Sequence, residues 1–191
     1  MPRIEPPKRN PLWIRAIFFL CRRMYGRTFM PLQVAAHVPR FMIPFLMTNA
    51  FAHGRGTLPE EIRLLAMQLV GEINQCSWCI DYGRSLTPKA LYDKVRHLQQ
   101  FATYSEFSEP ERAALRYAFE ATQTPVDVSD ETFAELRRHY SEPEIVELTF
   151  AVAIENFFNR VNAPLGVEAE GFCAIPDLSY RGDAEAQRQS A

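Results

Sequence analysis

The sequence predicts an all-α, multi-helix fold, and three observations carry that prediction. First, a small hydroxyl residue stands three positions ahead of a glutamate, with proline between, at Thr57-Leu58-Pro59-Glu60, Ser108-Glu109-Pro110-Glu111 and Ser141-Glu142-Pro143-Glu144. In such a capping box the hydroxyl accepts from a free backbone N–H and the glutamate reaches back to the cap, so each marks a helix start. Second, each box opens a run whose apolar residues return at helical spacing. Third, no stretch alternates as a strand, and no Asn-Gly or Asp-Gly hairpin turn occurs.

Residues 1–10 are rich in proline and charge and are expected to be a flexible N-terminus. Asn10-Pro11 reads as a cap and first turn. The apolar run from Leu12 to Cys21 is too short to span a bilayer and is interrupted by Arg15. Arg22 and Arg23 follow it instead of a small-residue cleavage site, so it reads as an amphipathic segment against a partner subunit and not as a signal peptide. Pro39, Pro44, Gly54 and Gly56 divide the next apolar segment into short helices or one kinked helix. Within it, Phe41 to Ala52 is apolar nearly all round and should be buried in the core or at a subunit interface.

After Thr57, apolar residues recur at Ile62, Leu65, Ala66, Leu69, Val70 and Ile73. Thr87-Pro88 reads as another cap. The box at Ser108 leads into Ala114, Leu115, Ala118 and Phe119; the box at Ser141 leads into Ile145, Leu148, Ala151, Val152, Ile154 and Phe158. One helical domain over residues 11–180 follows, with a polar, flexible tail at 181–191.

Composition excludes several function classes. The chain has 191 residues, 47% of them hydrophobic and 23% charged, as a globular protein has. A net charge of −2 and the lack of a basic run argue against nucleic acid. Four cysteines are too few for a disulfide scaffold at this length, which points to a reducing, cytoplasmic setting. Cys21 and Cys173 read as small buried hydrophobes.

The chemistry concentrates in Glu72-Ile73-Asn74-Gln75-Cys76-Ser77-Trp78-Cys79. Two thiols at CxxC spacing can close into a disulfide and reopen. No second CxxC or HxxxH is present to complete a zinc site, and neither metal nor cofactor is expected. If helix continued through the motif, positions 72, 76, 79 and 83 would fall within about 60° of one another on one stripe. Glu72 would then stand one turn before Cys76, able to relay a proton. If instead the helix breaks at Asn74-Gln75, Cys76 lies at a new helix N-terminus, where the dipole makes it the more acidic thiol. Trp78 reads as a shield or pocket wall, and Tyr82 as a residue able to lean in. Asp81 reads as solvent-facing or as a cap of local backbone. His53 and His97 are the histidines nearest the motif in sequence; His37 and His139 are further away. Arg160, near a helix end, suits an anchoring pair with Glu155 or Glu72.

The run Glu60 to Cys79, and Asn156-Phe157-Phe158-Asn159-Arg160-Val161-Asn162 with Leu165-Gly166-Val167-Glu168 after it, resemble the carboxymuconolactone decarboxylase-like superfamily. Within it the resemblance is to the alkylhydroperoxidase D-like branch, over roughly Pro31 to Gly171. It implies an all-α fold that assembles as a homo-oligomer through apolar helices. It also implies hydroperoxide reduction by the cysteine pair, with Cys79 in the attacking position, Cys76 resolving and Glu72 assisting. A relay glutamate that other members carry twelve residues before the first cysteine is Leu64 here, and the family's histidine, four residues after the second cysteine, is Gly83.

The expected function is therefore a thiol oxidoreductase that reduces organic hydroperoxides and is recharged by an external thiol or dithiol. Gly83 motivates one alternative, a disulfide exchanger or redox sensor without peroxidase activity. A lactone-decarboxylase-type enzyme or small-molecule binding scaffold on the same fold is the other.

Overall fold

Helix α4 (Glu60–Ile73) is the element around which the rest is arranged in this computed structural model, which describes residues 2–175 and 178. Among the described residues there are nine α-helices and no strand. Three precede α4: α1 (Leu12–Tyr25), α2 (Met30–Ala35) and α3 (Met42–Ala52). After it come α5 (Ser77–Ser85), α6 (Tyr92–Arg96), α7 (Glu109–Thr122), α8 (Asp130–His139) and α9 (Glu142–Asn162), with 3₁₀ turns at Pro39–Phe41, Lys89–Leu91 and Leu98–Gln100.

α4 is buried because both of its flanks are apolar. Ile62, Ala66 and Val70 pack with Ala114, Tyr117 and Ala118 of α7, Leu136 of α8, and Ile145, Leu148 and Val152 of α9. On the other flank, Leu65 and Leu69 meet Leu91, Val95, Leu98, Phe107 and Leu115. Each fully buried large side chain contributes about 1.5–3 kcal/mol, so this double-sided helix is the main source of cohesion. A separate cluster joins Ile14 and Phe18 of α1 to Leu32 of α2 and Met42 of α3.

The boxes at Ser108 and Ser141 form as expected, each with its glutamate bonded back to the cap backbone. The box at Thr57 does not. Glu147 of α9 accepts from Thr57 N (2.6 Å), Thr57 Oγ1 (2.9 Å) and Leu58 N (3.0 Å), so a distant carboxylate takes these donors and α4 begins only after Pro59. Asn10 does not cap α1, whose N-cap is Pro11. Thr87 likewise caps no new helix; its hydroxyl donates to Gly83 O and closes the end of α5.

Two other expectations change. Part of the N-terminal segment is tied down: Arg3 N donates to Leu165 O (2.8 Å), and His37 Nε2 lies 2.8 Å from Glu5 O. α3 buries only Met42 and Ala52, leaving Ile43, Met47 and Phe51 exposed on the single chain. The tail at 181–191 lies outside the described residues.

Candidate active site

The cysteine pair sits where α4 stops. Gln75 adopts φ 53°, a left-handed conformation that no α-helix passes through, and Cys76 N donates back to Gly71 O at 3.0 Å. Cys76 is thereby the N-cap of α5, and its Sγ accepts from Cys79 N at 3.4 Å. Continuous helix through the motif, and with it the single stripe from Glu72 to position 83, does not occur; α5 packs back on α4 instead. Cys76 and Cys79 form a disulfide with Cα atoms 5.3 Å apart. Cys76 is 1% exposed, whereas Cys79, at 8%, lines a cavity.

That cavity, about 140 Å³, has aromatic walls built from Phe29, Phe45, Trp78, Tyr82 and Phe158. Its size is close to that of an engineered apolar cavity of about 150 Å³ that holds benzene. Trp78 and Tyr82 stack with centroids 5.0 Å apart, and Trp78 Nε1 donates to Glu170 Oε2 at 2.7 Å. His53, at the end of α3, meets the Tyr82 ring edge-on at 5.8 Å. Burial, and then the Arg63 charge, push the His53 imidazole below its usual range, so it is uncharged at neutral pH. Burial raises the Tyr82 phenol further above neutral pH, with Tyr25 and Cys21 adding to the effect.

Of the residues singled out in the sequence, Cys79, Trp78, Tyr82 and His53 come together around this cavity. Leu64 and Gly83 line it too, without a proton-carrying group. A Cβ at Gly83 would meet the Gln68 amide oxygen, so the Gln68 side chain occupies the space a larger residue there would need. Cys76 is buried behind Cys79. Glu72 does not line the cavity: its side chain is 6% exposed and Oε1 lies 3.3 Å from Arg84 Nη2. Burial raises the Glu72 carboxyl, and Arg84 opposes that rise. His97 is elsewhere, stacked on Tyr104 at 3.9 Å, with Nδ1 2.9 Å from Asp93 O.

Arg160 anchors neither glutamate; it reaches Asn156 Oδ1 (2.6 Å) and Thr124 Oγ1 (3.2 Å) because it projects from the exposed side of α9. Asp81 is not solvent-facing. It is 1% exposed and accepts from Glu170 N, Phe172 N and Cys173 N at 2.9–3.0 Å, clamping a distant segment beside the pair. Cys173 is buried as expected; Cys21 is half-buried and lines the cavity.

No family model matches the chain. It is 27% identical over 177 residues to the uncharacterized protein YnjA of Escherichia coli (strain K12), covering 91% of this chain and 97% of that one. An uncharacterized peroxidase-related protein from Ralstonia eutropha JMP134, with an alkylhydroperoxidase AhpD core, superposes with a TM-score of 0.77 at 18% identity, over 91% of this chain and 95% of that chain. The fold is alkylhydroperoxidase D-like. A cysteine-to-alanine variant of the debrominase Bmp8, in complex with 2,3,4-tribromopyrrole, shares it with a TM-score of 0.76 at 22% identity, over 95% of both chains. The AhpD-like fold therefore hosts more than one activity. A disulfide-forming CxxC pair on it fits a redox role.

Sequence reasoning missed the polar face of α9 in this AhpD-like arrangement. Glu155, Asn159 and Asn162 lie at i, i+4 and i+7, one above another on the buried side of the helix. Asn162 Nδ2 is 3.5 Å from Cys79 Sγ, and Asn159 Nδ2 donates to Glu155 Oε1 at 2.7 Å. Asn74, from the break that holds the cysteines, donates to Asn159 Oδ1 at 2.8 Å, which fixes α9 against the motif. The available signal was a carboxylate and two amides on a stripe otherwise made of Ile145, Leu148, Ala151, Val152 and Phe158. Among the described residues no group of three His, Cys, Asp or Glu side chains is arranged to hold a metal.

Proposed function

We propose that this protein is a dithiol oxidoreductase that reduces small organic hydroperoxides. The observation that carries the reading is the division of labour between the sulfurs. Cys79 lines an aromatic cavity, while Cys76 sits behind it within bonding distance. In the reduced protein the Cys79 thiolate attacks the distal peroxide oxygen, the O–O bond breaks, and the alcohol leaves with a proton, giving a sulfenic acid. Cys76 then displaces water from that sulfur and closes the disulfide. An external thiol or dithiol reduces it, so two electrons enter for each peroxide consumed. The Asn162 amide beside Cys79 supports a thiolate there, and the cavity selects small apolar substituents. With cumene hydroperoxide and a dithiol, turnover is expected to exceed that of Cys79→Ser at least a hundredfold; equal rates would end the reading.

A second reading is favoured by the size and aromatic walls of the cavity and by likeness to the debrominase Bmp8. Here the Cys79 thiolate takes a halogen from a small aromatic ring, the ring carbon takes a proton, and Cys76 expels halide as the disulfide closes. Halide release from a bromopyrrole, with reductant present and cumene hydroperoxide left untouched, would select this reading over the first. Assembly through the apolar faces of α1 and α3 is part of the same proposal.

A further inference from the structure

Glu155 is the one carboxyl group in the wall of the cavity that Cys79 lines. It is 8% exposed and forms no ion pair among the described residues; its hydrogen-bond partner is the neutral Asn159 amide. It is also close to the sulfur-bearing residue. From the point where a Cβ on Gly71 would stand, Glu155 Oε1 is 3.6 Å away and Cys79 Cβ is 3.7 Å away. A buried carboxyl without a cation is costly unless it holds a proton. A carboxyl group that shares a cavity with a thiol can exchange a proton with it, directly or through water.

We propose that Glu155 is a catalytic residue, carrying the Cys79 proton to the oxygen that leaves when peroxide is attacked. The inference rests on the hydroperoxide reading above. As carboxylate, Glu155 takes the thiol proton and leaves Cys79 as thiolate. As carboxylic acid, it gives that same proton to the departing alkoxide as the S–O bond forms and the O–O bond breaks. Closure of the disulfide expels water and moves no net proton. Reduction by an external dithiol returns one hydrogen to each sulfur, and Glu155 is again the base. Burial pushes its carboxyl up to about 7, outweighing the Asn159 hydrogen bond, so both forms are populated at neutral pH. The other titratable groups around the cavity are His53, Tyr82, Tyr25 and Cys21. Among them, His53 is held neutral and Tyr82 is held protonated.

The test uses the full chain, with folding of each variant checked by circular dichroism. Sulfenic acid formation in single turnover is compared for cumene hydroperoxide and peracetic acid, whose leaving acetate needs no proton. Loss of the base slows both oxidants and loss of the donor slows only the first, so Glu155→Gln should slow cumene hydroperoxide about 10²-fold more than peracetic acid. Equal slowing of both would show that Glu155 gives no proton to the leaving oxygen, and no slowing would make it idle; either result overturns the proposal. Alkylation of Cys79 by iodoacetamide, resolved by peptide mass spectrometry in a Cys76→Ser background, gives a readout without peroxide. Its pH profile should show two coupled inflections that collapse to one in Glu155→Gln. Persistence of both, or their loss in Glu72→Gln instead, also overturns it. If neither oxidant reacts with the parent protein, the hydroperoxide reading fails and the alkylation profile still decides the Glu155–Cys79 coupling.

Discussion

A carboxyl group that ionises near 4.5 in the unfolded chain and near 7 in the fold makes stability depend on pH in a definite direction. Between those values the folded protein binds a proton at Glu155 and the unfolded chain does not. The advantage is complete below the unfolded value and is lost as pH rises through 7. By pH 8 the ionised, buried Glu155 costs roughly 3 kcal/mol. Glu155→Gln should therefore raise the urea midpoint at pH 8 and change it little at pH 5; parallel pH curves for the two proteins would refute this. Gly83 supports a second expectation at this scale. Because the Gln68 amide occupies the space beside it, Gly83→His alone should not raise peroxide turnover. Gly83→His combined with Gln68→Ala should raise it, and additive effects of the two changes would show that the sites are uncoupled.

At the scale of elements, the segment after α9 depends on Asp81. Three backbone N–H groups converge on this one carboxylate, and Trp78 is tied to the same segment through Glu170. Asp81→Asn replaces a charged double acceptor with a single one and leaves buried donors poorly met, at a cost of about 3 kcal/mol. Limited proteolysis should then cut between residues 168 and 175 much faster than in the parent; an unchanged rate would show that the clamp is dispensable. Such a contact could not be read from the sequence, because Asp81 and Cys173 are joined by topology and not by any periodic pattern. The same limit explains Thr57, whose motif matched that of Ser108 and Ser141 but whose donors lie beside Glu147. What local pattern does encode was legible: the helical class, two capping boxes and the cysteine pair, with the break before Cys76 one of two readings left open. Glu155 was named only as a partner for Arg160, since its opposite placement on α9 depends on which stripe of the helix meets α4.

Taken whole, the chain shows more apolar helix surface than its own core uses. Leu12 and Phe19 of α1 are 78% and 68% exposed, and Met47 of α3 is 67% exposed. No helix among the described residues is long and apolar enough to cross a membrane. We propose that a second copy of the chain covers these faces. Light scattering after size exclusion should give a mass at least twice the chain's 22.0 kDa. Met47→Glu together with Phe51→Glu should lower it; a parent protein already monomeric at high concentration would rule out the interface.

The position of Trp78 has a practical consequence. Its indole lies between the two sulfur-bearing residues in sequence, stacked on Tyr82, and the chain's other tryptophan, Trp13, is in α1. A nearby disulfide quenches indole emission by accepting an electron from the excited ring, whereas a pair of thiols does so far less. Intrinsic fluorescence should brighten when dithiothreitol is added, and the change should vanish in Trp78→Phe. Trp78 emission would then report the oxidation state of the pair in real time and without a label.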